Sequence, residues 1–133
     1  VNAIDLNFTG VTRPKFEVVP EGEYTLMLSG CKVAPGKTDK SKMVASLVYE
    51  IVNHEEYAGK KILSWQVVSG PDNDMSYVKL WLESLIGSEL SDDFTLDPDE
   101  LVGMECQAFV GIVPDNRDSD KEQNTVKYYI PSF

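Results

Sequence analysis

Residues 22–68 read GEYTLMLSGCKVAPGKTDKSKMVASLVYEIVNHEEYAGKKILSWQVV, and three segments within them alternate in character. From about Glu23 to Val33, Tyr24, Leu26 and Leu28 alternate with Thr25, Met27 and Ser29, the period of two that sends successive side chains to opposite faces of a strand. Gly30 predicts a bulge or sharp bend, which a long strand in a small barrel requires. A second strand is predicted from about Met43 to Val52, with Met43, Ala45, Leu47, Tyr49 and Ile51 on one face. After the Asn53-His54-Glu55-Glu56 turn, Tyr57-Ala58-Gly59-Lys60 leads into a third, about Lys61 to Val68, where Lys61, Leu63, Trp65 and Val67 share a face. Between the first two lies a lysine-rich loop, Pro35-Gly36-Lys37-Thr38-Asp39-Lys40-Ser41-Lys42.

Outward from this unit, residues 1–21 read as an arm broken by Thr9-Gly10 and Arg13-Pro14, with Leu6 and Phe8 expected to tack it onto the domain formed by 22–133. Beyond Val68 the period changes. Gly70-Pro71-Asp72-Asn73 ends the sheet and offers a cap, and Met75, Val78, Leu82, Leu85 and Ile86 recur at helical spacing from Asp74 to the stop at Gly87. Residues 88–102 form an acidic connector with one further turn at Asp97-Pro98-Asp99-Glu100. Strands four and five are predicted at about Met104–Val113 and Asn124–Ile130, around a polar loop. Three strands, a helix and two strands is the element order of the OB-fold, an all-β class with one helix: a five-stranded Greek-key barrel whose helix lies between strands three and four. In that fold the face of strands two and three and the loops after strands one and four, here 34–42 and 114–123, form the ligand cleft.

A chain of 133 residues makes one domain most simply. No apolar run nears the roughly 20 residues that span a bilayer, and no signal peptide is read at its start, so no membrane is expected. Cys31 and Cys106 sit in apolar strands and read as reduced thiols. The net charge is −10, unevenly spread. Between Cys31 and Lys42 four lysines (Lys32, Lys37, Lys40, Lys42) face one acid, Asp39, whereas Glu83–Glu105 holds eight acids and no base. Exposed charges farther apart than the Debye length, ~8 Å at physiological salt, are largely screened from each other, so a cationic loop can coexist with an acidic side.

Gly22-Glu23-Tyr24, Gly36-Lys37-Thr38, Tyr57-Ala58-Gly59-Lys60, a helix carrying Trp81, Leu101-Val102-Gly103, and Asn124-Thr125-Val126-Lys127-Tyr128-Tyr129-Ile130-Pro131 together resemble a family of bacteriophage single-stranded DNA-binding proteins, over about residues 16–131. The resemblance implies an OB-fold protein of phage DNA replication or recombination, non-catalytic and without cofactor, working in the host cytoplasm. Its partners would be single-stranded DNA, other replication or recombination proteins and, as a candidate, a second copy. Many proteins of this function end in an acidic tail that recruits partners. This sequence ends at Tyr129-Ile130-Pro131-Ser132-Phe133, so either such a tail lies outside it or recruitment runs through another part, with the acidic 88–102 segment as the candidate.

Binding single strands without sequence preference needs cations for phosphates and flat rings for bases. Lys37, Lys40 and Lys42 supply the first, with Lys60, Lys61, Arg117 and Lys127 as further candidates; Trp65, Phe109 and Tyr129 lie on polar strand faces as stacking candidates. Tyr24 and Trp81 are expected in the core, while Tyr49 and Tyr77 are open. Gly36-Lys37-Thr38 is not a P-loop, because Cys31 stands where the leading glycine is needed and a strand follows rather than a helix. One histidine, His54, and two separated cysteines speak against zinc and against a catalytic triad, so neither metal nor enzyme is expected. The alternative reading is an acidic protein-interaction module or DNA mimic that occupies a host or phage enzyme.

Overall fold

From residue 22 onward, each stretch of alternation read from the sequence forms a paired strand. The computed structural model describes residues 3–11, 18–115 and 120–132. Within them run β1 (Gly22–Pro35), β2 (Met43–Val52), β3 (Lys61–Ser69), α1 (Met75–Ile86), α2 (Pro98–Leu101), β4 (Glu105–Pro114) and β5 (Glu122–Ile130). The strands form one antiparallel sheet in the order β3-β2-β1-β4-β5. Its two edge strands, β3 and β5, approach each other.

The core lies on the inner face of this sheet. Leu26, Leu28, Ala45, Leu47, Tyr49, Ile51, Ile62, Ala108 and Val110 are buried there, and α1 covers them with Val78, Trp81, Leu82 and Leu85. Asp74 caps α1 by accepting from the Ser76 backbone N–H, and Gly87 ends it at a φ of 85°, a left-handed conformation that glycine adopts without strain. Tyr24 and Trp81 are core residues as expected, and Tyr49 joins them.

Bulges adjust the alternation. The β1–β2 register slips between Leu28 and Gly30, leaving Ser29 as the extra residue, so the inward set runs Tyr24, Leu26, Leu28 and then Cys31, Val33. The β4–β5 register slips between Phe109 and Val110, where Lys127 is the extra residue.

The residues before β1 depart from expectation. Leu6 and Phe8 do not tack onto the domain but stand exposed with Ile4 and Val11. The segment is instead held at Val19, whose backbone N–H donates to Asn124 Oδ1 (2.8 Å) and whose carbonyl accepts from Asn124 Nδ2 (3.0 Å).

Candidate nucleic-acid interface

The outer face of β1–β2–β3 is built in rows set by strand register. One row places Lys32, Ser46 and Trp65 side by side; its neighbours are Ala34–Val44–Val67 and Gly30–Val48–Leu63. The result is a largely apolar strip with Trp65 half exposed on it, at 51%. Below the strip the same strands send Ala45, Leu47, Ile62 and Ser64 inward.

Cations stand at both ends of the strip. Lys60 and Lys61 are exposed at the start of β3, four residues or ~13 Å from Trp65. Lys61 Nζ is 3.2 Å from Glu50 Oε1, a surface pair of small energetic weight. At the other end the 36–42 loop carries Lys37 and Lys40 into solvent. The loop is tightly built. The Gly36 N–H donates to the Lys42 carbonyl (2.8 Å), and a Cβ on Gly36 would meet the Asp39 carbonyl oxygen at 2.5 Å. The Asp39 carboxylate accepts from the Ser41 hydroxyl and backbone N–H, which holds it below the usual aspartate range. Lys42 is half-buried, its stem crossing Gly70 in the turn after β3.

A second group of rings lies across the gap between the edge strands. Trp65 of β3, Tyr77 of α1 and Tyr128 of β5 line a cavity of about 130 Å³ together with Ser64, Gln66 and Lys127. Tyr128 is 52% exposed and stacks on Phe109, with centroids 5.1 Å apart and planes 9° from parallel. Lys127 lays its stem over Gly111, where no Cβ intervenes. Of the residues selected from sequence, Trp65, Phe109 and Lys127 are therefore brought to one patch, while the lysine loop and Lys60–Lys61 flank it at a distance. Arg117 lies outside the described residues.

Tyr129 is corrected. Because Lys127 bulges, the parity of β5 inverts, and Tyr129 turns inward while Tyr128 takes the outer face. The Tyr129 hydroxyl is 2.7 Å from that of Tyr49, which accepts from Trp81 Nε1 at 3.0 Å. Burial raises the pKa of both tyrosines, so the chain stays protonated at any physiological pH. This polar chain joins β2, β5 and α1, and no buried side-chain nitrogen or oxygen among the described residues lacks a partner.

Sequence reasoning passed over Tyr128 and, as an interface residue, Lys32. Both lie beyond a bulge, where counting in twos assigns the wrong face. Tyr77, left open from sequence, is exposed on α1. Among the described residues no three His, Cys, Asp or Glu side chains gather closely enough to hold an ion, and no helix is long and apolar enough to cross a membrane. A scan of protein-family models and a search of curated proteins each found no match to this chain.

Proposed function

We propose that this chain is a non-catalytic single-stranded DNA-binding protein with an OB-fold, acting in phage replication or recombination and coating the strand through its outer sheet face. Two features support the fold reading: the three-strand, helix, two-strand order, and edge strands that approach one another as the barrel requires. The observation that carries the function is the Lys32–Ser46–Trp65 row, an exposed indole on an apolar strip with lysines beside it and at both ends. Bases stack on such rings whatever their identity, and phosphates take the flanking cations. Tyr128 on Phe109 extends the aromatic surface toward β5.

The test is a titration with a thymine oligonucleotide at low salt, read by gel retardation and tryptophan fluorescence. Trp81 is fully buried and hydrogen-bonded to Tyr49, so a change in emission reports on Trp65. Retardation with altered emission is the expected result. No retardation at low salt overturns the reading and leaves the acidic interaction module, for which the base-free stretch from Glu83 to Glu105 is the motivating feature.

A further inference from the structure

Two apolar surfaces of this chain lie open to solvent, and they complement each other. The first is the segment before β1. Ile4, Leu6 and Phe8 alternate with Asp5, Asn7 and Thr9, Val11 follows after a turn, and the four apolar side chains are 63–78% exposed. The second is a groove of about 530 Å³ where the C-terminal ends of β1 and β3 meet α1 and the connector, lined mainly by Val33, Met43, Val68, Met75, Leu90 and Phe94. Asp5 is the only charge among residues 3–11, and the groove wall carries one cation, Lys79, beside Asp92.

The two surfaces sit at opposite ends of β1. The segment is anchored at Val19, next to the first residues of β1, whereas Val33 near the last residues of β1 lines the groove. From Phe8 to Val19 the chain reaches at most about 40 Å when fully extended. The stretch of β1 from Gly22 to Val33 alone covers roughly 36 Å. Seating Phe8 in the groove of its own chain would use up much of that reach, and in the structure the segment stands exposed instead; a neighbouring copy imposes no such constraint.

We propose that the Ile4–Leu6–Phe8 stripe docks in this groove on a second copy of the chain. Because donor and acceptor surfaces differ, the contact is heterologous, and each copy that receives a segment still offers its own: the assembly grows head to tail. Along a bound strand it would join neighbouring copies, but the contact itself does not depend on nucleic acid.

The test is sedimentation equilibrium without oligonucleotide, on the full chain and on two variants. One alters the segment (Leu6→Asp with Phe8→Asp); the other alters the groove rim (Met75→Asp with Phe94→Asp), where both side chains are exposed enough to be replaced without opening the core. The wild-type mass should rise with concentration from that of one chain, 14.8 kDa. Each variant alone should stay at one chain's mass, with an unchanged circular dichroism spectrum. An equimolar mixture should form pairs and nothing larger, since only one intact segment and one intact groove remain. A wild type that stays at one chain's mass across the series overturns the proposal, as does a mixture that fails to pair. Neither result touches the DNA-binding reading, which is measured separately.

Discussion

Trp65 presents its indole from β3 with Ser46 and Lys32 in line beside it. If bases stack there, Trp65→Ala lowers oligonucleotide affinity by about 1–3 kcal/mol while leaving the thermal midpoint nearly unchanged, because the ring is half exposed. An unchanged affinity in the same titration would remove the indole from the interface. Tyr49 shows the opposite behaviour. Its hydroxyl meets both Trp81 Nε1 and the Tyr129 hydroxyl inside the protein, so Tyr49→Phe strands the buried Trp81 N–H, takes one of the Tyr129 hydroxyl's partners, and should destabilise the fold by about 1–3 kcal/mol in urea unfolding. The two substitutions separate a binding ring from a structural one. Composition could not do this, since an aromatic on an alternating strand serves either purpose. Tyr128 and Tyr129 make the point: they are adjacent, and one bulged residue on β5 decides which is outside.

The loop between β1 and β2 is where the charge argument can be measured. Lys37 and Lys40 are exposed on a frame fixed by the Gly36–Lys42 and Asp39–Ser41 hydrogen bonds. Replacing both lysines with glutamate should weaken binding and flatten the dependence of log K on log salt by about 0.7 for each phosphate that is no longer neutralised. A slope equal to wild type would show that the loop faces away from the strand. The elements themselves were legible from the chain. Alternation placed β1, β2 and β3 within two residues of their observed ends, and the change to helical spacing together with Asp74 and Gly87 marked α1. Bulge positions were legible only at Gly30, because a bulge belongs to the pairing of two strands rather than to either alone. The segment before β1 misled for a related reason: apolar alternation marks a face for burial but does not say against what, and Leu6 and Phe8 stand exposed.

Across the whole molecule, one buried thiol and the buried phenols set the response to alkaline pH. Burial pushes the Cys106 thiol up to about 12, while the Cys31 thiol and Tyr24 are also raised, chiefly by burial. A thiol that keeps its proton in the folded state but loses it near pH 8.5 when unfolded makes the unfolded state bind fewer protons above that point, so stability falls as pH rises. Chemical unfolding followed from pH 8 to 12 should show a decline beginning near pH 8.5–9. Cys106 alone accounts for up to ~4 kcal/mol of it by pH 12, and Cys106→Ala should flatten the slope. A profile level to pH 11 would contradict the burial of that side chain. The total of −10 is unevenly spread along the chain, with no base from Glu83 to Glu105 and with Lys37 and Lys40 exposed on the 36–42 loop.

The sheet ends in β3 and β5, whose margins approach each other, and beneath them the Tyr129 hydroxyl of β5 meets that of Tyr49 in β2, which Trp81 of α1 also reaches. A belt fastened by a buckle opens at the buckle. In deuterium labelling, amides along the outward margins of β3 and β5 should therefore exchange well before those of β1, which is laddered on both sides. A ligand lying across that seam would slow the exchange there first.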